Sequence, residues 1–261
     1  MFEKRFYYLV KIQYLGYRFH GWQKQPQLKT VHHMIDRTLK YVLEDTRFKT
    51  LGAGRTDAMV SANEAAFELF VYDETIPDLD EFIDKFNLNL PQDIRALSIR
   101  EVDKSFNVIQ DSKFKEYHYL FSFGQKNHPF CAPIMTNIQE NLNIELMITG
   151  AKMYEGTHNF KAYCYKATEG TYFKRTVETS FIECNTNYTA SFFPDTSYVF
   201  KVRAKGFGRN QIRLMMGALI RVGQGNLSAD QIQKSLVTGE LDNRNFIAPA
   251  SGLILASISF Q

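Results

Sequence analysis

"YVFKVRAKGFGRNQIRLMMGALIRVGQG", residues 198–225, changes its hydrophobic period part-way, and that change decides the fold class. Over 198–205 the period is two: Val199, Lys201, Arg203 and Lys205 fall on one strand face, and Phe200, Val202 and Ala204 on the other. Gly206, Phe207 and Gly208 interrupt the strand. Over 210–222 the spacing becomes helical, with Gly223 at the C-terminal end. A strand that is apolar behind and basic in front thus runs through a glycine turn into a helix. Arg209 and Arg213 are four apart, one above the other at the helix start. Arg213 leads directly into Leu214, Met215 and Met216, which places it near the core, where a guanidinium needs a carboxylate or phosphate partner. The competing reading is a solvated basic face, although a helix N-terminus is an unfavourable place to gather cations.

Working outward, 5–14 ("RFYYLVKIQY") reads as a strand and 15–29 as a long loop. Thr30 is placed to cap a helix over 31–43 that buries Ile35, Leu39 and Val42. Residues 64–72 and 94–102 read as strands and 78–87 as a short helix. The second half repeats the rhythm: strand 115–123, helix 144–154, strands near 175–183, 188–193 and 198–205, helices 210–222 and 229–236, and a closing strand over 251–260. Helices interleaved with strands that include hairpins predict an α+β fold around a mixed, largely antiparallel sheet. No low-complexity linker separates the halves, so the expectation is two related lobes, 1–105 and 106–261, sharing one body.

The 261 residues are 44% hydrophobic and 23% charged, ordinary for a soluble globular chain. No apolar run approaches the roughly 20 residues that span a bilayer. The opening residues are too polar for a signal peptide. Cys131, Cys164 and Cys184 are an odd, widely spaced set without a CxxC pair, which points to a reduced, cytoplasmic compartment. The net charge is only +3, but it is unevenly spread. Residues 4–35 hold six Lys or Arg and no acid, and so do 199–225, whereas 61–105 hold four basic and eleven acidic residues. Such segregation suits a polyanionic partner, and it also arises by chance in long chains.

Several stretches could carry chemistry. "LGAGRTDAMVSA" (51–62) puts Arg55 and Asp57 at the end of a glycine turn with little other charge nearby. "GYRFHGWQKQP" (16–26) holds the only tryptophan, Trp22, with Arg18, His20 and Lys24; such a loop either binds a ligand or is anchored by Trp22. "EYHYLF" (116–121) puts Tyr117 and Tyr119 on one strand face and His118 on the other, suited to base stacking or simply to core packing. There is no Walker A loop, no GxGxxG after a strand, no HExxH and no Cys/His metal spacing; His32 and His33 read as a surface pair. No serine stands in a GxSxG elbow. A site free of metal and cofactor, built on one aspartate, is the sharpest candidate left.

"GAGRTDA" (52–58) resembles the signature of the TruA-type tRNA pseudouridine synthases, in which the aspartate is catalytic. The resemblance extends in order along the chain: "YLGYRFHGWQKQP" with "TVHHMIDRTL", "LPQDIRAL", "KEYHYLF", "YEGTHNFKAYC", "GFGRNQIRLMMGALIRVGQG" and "APASGLILASISF". It implies the pseudouridine synthase fold with a central RNA-binding cleft. It also implies conversion of uridine to pseudouridine in the tRNA anticodon stem-loop at positions 38, 39 or 40, without a cofactor, by a homodimer. Carried over, Asp57 is the catalytic carboxylate, acting on the sugar as nucleophile or base. Arg55 lies beside the flipped nucleotide, Tyr117 stacks on the target base, and Arg213 pairs with Asp57. A flipped base costs a few kcal/mol of stacking, offset by phosphate contacts. Arg18, Trp22, Lys24, Lys201, Arg203, Lys205 and Arg209 are the residues expected to meet RNA.

The chain departs from the family pattern at four places. The motif usually continues Ala-Gly-Val-His-Ala and here reads Ala58-Met59-Val60-Ser61-Ala62. The usual Phe-His-Ala-Arg is here Phe106-Asn107-Val108-Ile109. Either the positions drift and the target is unchanged, or the RNA target has changed. Two rival readings are a non-catalytic RNA-binding relative and a small-molecule lyase or glycosidase. A glycosidase would require a second facing carboxylate, which the motifs do not supply.

Overall fold

The computed structural model describes residues 4–166, 170–241 and 246–260. It divides into two compact units, Met1–Lys113 with Leu255–Gln261, and Phe114–Ile254.

The first unit opens with β1 (Arg5–Tyr14). Helix α1 (Val31–Val42) starts at Thr30, whose hydroxyl accepts the His33 N–H, and it buries Ile35, Leu39 and Val42 as the periodicity predicts. β2 (Phe48–Gly52) and β3 (Ser61–Tyr72) flank the 52–60 turn. Asp78 caps α2 (Leu79–Asn89) by accepting the Asp80 and Glu81 N–H groups, and β4 (Ile94–Glu101) follows. In the second unit, β5 (Ser112–Phe123) and the short β6 (Thr136–Ile138) precede α3 (Ile144–Lys152), capped by Asn143. Then come β7 (Gly156–Asn159), β8 (Lys174–Cys184), β9 (Tyr198–Ala204), α4 (Gln211–Gly223) and α5 (Ala229–Thr238). Ser228 and Gln231 close a capping box on α5. β10 (Leu253–Phe260) ends the chain, its residues from Leu255 on lying in the first unit.

In the first unit the strand order is β4-β1-β3-β10, with β2 paired to β3. In the second it is β5-β9-β8-β7, with β6 paired to β5. The β1–β3, β1–β4, β2–β3, β5–β9, β7–β8 and β8–β9 pairs are antiparallel, and β5–β6 is parallel. The class is therefore the expected α+β with mixed, mostly antiparallel pairing. Among the described residues no helix is long and apolar enough to cross a membrane.

The expected strand over 188–193 is not one. Cys184 pairs with Tyr198, so 185–197 is the loop of the β8–β9 hairpin. Asn185 and Tyr188 hold that loop in a side-chain turn, with Tyr188 N donating to Asn185 Oδ1 at 3.0 Å. The aromatic run that suggested a strand is used differently: Tyr188, Phe192 and Phe193 pack on the buried Leu120, Cys131, Met135 and Val199. β2, β6 and β7 were not anticipated, being too short to show a period.

Candidate active site

The Asp57 turn is assembled from three segments of the first unit. Gly52 ends β2 against Trp22: a Cβ there would lie 2.4 Å from the indole Nε1, so only glycine admits the ring. Trp22 is 3% exposed and stacks on His32 with ring centroids 5.5 Å apart. Its backbone N–H donates to Thr56 O at 3.1 Å, while the Thr56 hydroxyl meets the buried Tyr14 OH at 2.9 Å. Gly21, at φ +86°, passes so close that a Cβ would sit 2.6 Å from Thr56 O. The loop thus grips the residue before Asp57 from both sides.

Asp57 then opens a β-turn closed by Val60 N–H to Asp57 O at 3.3 Å. Met59, the third residue, has φ +67°, the type II position that favours glycine. Its N–H donates to Phe19 O at 3.0 Å, fixing the turn to the same loop. Asp57 is half-buried and Arg55 exposed. A carboxylate on a tight, braced turn, reachable from solvent, can act on a ligand without having to be organised first.

In the second unit, Tyr117 is half-buried on β5 and meets Phe207 edge-on at 5.5 Å. Tyr119 is fully buried, its hydroxyl donating to Pro249 O at 2.8 Å. His118 lies on the opposite face, between Tyr188 OH and Glu116 Oε1, each at 2.8 Å, and burial holds its pKa below the usual imidazole value. Arg213, in the first turn of α4, is half-buried; its Nε donates to Ala248 O at 2.8 Å, and Ala248 N–H returns a bond to Arg213 O at 3.1 Å.

End-to-end comparison with known proteins gives the family. The chain is 32% identical to the tRNA pseudouridine synthase A of Pseudothermotoga lettingae, over 98% of this chain and 100% of the relative. For the enzyme of the same name from Thermosipho melanesiensis the values are 31%, 98% and 100%. For that of Acetivibrio thermocellus they are 30%, 95% and 97%. The chain belongs to the tRNA pseudouridine synthase A family. A family profile described as tRNA pseudouridine synthase also matches residues 151–261. The protein is accordingly an isomerase that acts on RNA.

Two of the departing positions, Ser61 and Asn107, make side-chain contacts of their own. Ser61 is buried and its Oγ accepts the Gly16 N–H at 2.9 Å. Asn107 Oδ1 accepts the Ile109 and Gln110 N–H groups, both at 3.0 Å, ordering the turn. Ile109 is exposed, and Val108 is buried with its N–H on Glu68 Oε2 at 3.2 Å.

The expected RNA contacts divide sharply. Trp22 is buried under the loop it anchors, so it is a structural residue and not a stacking surface. His32 is likewise turned inward, bonded to Thr50 Oγ1 at 2.7 Å, which corrects its reading as a surface residue. Arg18 pairs with Asp93 at 2.8 Å, and Lys24 with Asp36. On β9 the alternation is as read, but Lys201 pairs with Glu183 at 2.6 Å and Arg203 with Glu178 at 2.9 Å, both from β8. The acid-free stretches of sequence are therefore matched by acids from elsewhere in the fold. Among the described residues, Lys205 and Arg209 have no such partner. The sequence reading also missed Tyr165, whose ring lies under the Arg209 guanidinium at 5.6 Å; no spacing rule links residues so far apart.

Proposed function

We propose that the synthase isomerises uridine to pseudouridine in the anticodon stem-loop of tRNA, at positions 38, 39 or 40, with Asp57 as the catalytic carboxylate. The observation that carries the reading is the braced Asp57–Val60 turn, which presents one carboxylate from the family signature. In the reaction the N1–C1′ glycosidic bond breaks, the uracil turns, and a C5–C1′ bond forms. The C5 proton leaves and N1 gains one, so atoms balance without a cofactor. Asp57 assists cleavage from the sugar side. Arg55 lies beside the flipped nucleotide, Tyr117 stacks on the target base, and Arg213 supports the carboxylate. Lys205 and Arg209 contact the RNA backbone, and the working form is a homodimer.

The test is conversion of uridine in unmodified tRNA transcripts, with the product position mapped. Wild type is expected to modify the anticodon arm, while Asp57→Asn binds the transcript and forms no product. Product from Asp57→Asn would remove the catalytic assignment. Product only outside the anticodon arm would favour a changed RNA target, for which the departures at Met59, Ser61, Asn107 and Ile109 are the reason to look.

A further inference from the structure

We infer that Tyr165 and Arg209 form a phosphate clamp for the RNA substrate on the second unit, a role that rests on the function proposed above. The Arg209 guanidinium lies 5.6 Å from the Tyr165 ring centroid, and Lys166 Nζ lies 5.3 Å from the same ring. Tyr165 N–H donates to Arg209 O at 3.1 Å, so the two loops are tied by backbone as well as by the ring. Behind them Gln211, 2% exposed, accepts the Gly208 N–H on its Oε1 at 2.7 Å and donates its own N–H to Gly208 O at 3.1 Å. The 205–210 loop is thereby held on α4. Phe207, two residues before Arg209, touches Tyr117, and Arg213 follows one turn later.

The chemistry favours a phosphate. A guanidinium resting on a ring face uses none of its N–H donors, so its fork stays available to a bidentate anion. The ring also limits the orientations the side chain explores, which lowers the ordering cost on binding. Charge points the same way. Lys201 and Arg203 are neutralised by Glu183 and Glu178, whereas among the described residues no carboxylate pairs with Lys166, Lys205 or Arg209. The cationic character of this part of the chain is concentrated at the 205–210 loop and Lys166, and Tyr165 fixes its centre. Tyr165 is a positioning residue, and Arg209 makes the contact.

The experiment measures the Kd of a tRNA transcript as a function of KCl, alongside steady-state conversion, for the full chain. Arg209→Ala should flatten the slope of log K against log salt by about 0.7–0.9, the value of one phosphate contact. KM should rise about five- to tenfold with kcat within about twofold. Arg209→Lys should keep the slope, and Lys234→Ala, an exposed charge on α5, should match wild type in all respects. Tyr165→Phe should match wild type, and Tyr165→Leu should raise KM about two- to threefold. A wild-type slope and KM in Arg209→Ala would overturn the clamp, and so would a fall in kcat at constant KM. Equal behaviour of the Phe and Leu variants would remove Tyr165 from it. If wild type makes no pseudouridine while Arg209→Ala still flattens the slope, the function reading fails and the clamp stands.

Discussion

Met59 holds φ +67° where most L-residues are strained, and it does so next to the proposed catalytic carboxylate. Met59→Gly should raise stability by about 0.5–1 kcal/mol, the left-handed penalty less the added freedom of the unfolded chain. Chemical denaturation of both proteins checks this, and an unchanged or lower midpoint would mean that the Met59 side chain contributes contacts worth more than the strain. Glu68 is a second residue under tension. It is 1% exposed, Oε2 accepts Val108 N–H, and Oε1 has no partner among the described residues. Burial pushes its pKa up from the ordinary value of about 4.3, helped by Asp111. A raised folded pKa contributes stability that is full below the unfolded value and lost as pH rises through the folded one. Glu68→Gln, fixed in the neutral form, should therefore melt higher than wild type at pH 7 to 8, with the gain vanishing near pH 4. Melting curves across that range read it directly; a gain independent of pH would assign the effect to something other than ionisation.

At the scale of the element, α4 illustrates how packing overrides propensity. Gly217 sits inside the helix, where alanine is favoured by about 1 kcal/mol. A Cβ there would lie 1.8 Å from the Phe246 carbonyl oxygen, a backbone atom that must move to admit it. Gly217→Ala should thus destabilise by about 2 kcal/mol or more, opposite in sign to the propensity rule. A stabilised variant would show that the 246–250 segment shifts without cost. The β8–β9 hairpin makes the same point electrostatically. Period two read the basic face of β9 from sequence, but the glutamates that neutralise it, Glu178 and Glu183, come from β8, 18 to 25 residues earlier. A strand's charge belongs to its pair.

For the whole molecule, the roles proposed for Asp57 and Arg213 predict that their effects on activity are coupled. If Asp57 and Arg213 act as one catalytic group, Asp57→Asn with Arg213→Ala should lose no more activity than Asp57→Asn alone. Independent, multiplicative losses would separate Arg213 from the carboxylate's work. Single-turnover conversion of a tRNA transcript, with binding measured in parallel, distinguishes a catalytic loss from a binding one.

Sequence alone determined the things that depend on near neighbours and on order. Thr30 marks the start of α1 because capping is satisfied within three residues. Residue composition marks β1, period-two runs mark β5 and β9, and the ordered motifs from "GAGRTDA" to "APASGLILASISF" mark the family. Tertiary structure decided the rest. It made Trp22 an anchor, turned the aromatic 188–193 run into a packed loop, and gave Arg18, Lys24, Lys201 and Arg203 acidic partners. It left Arg209 on the ring of Tyr165. Each of these depends on which distant segments meet, and a local pattern carries no information about a partner that lies 44 positions away.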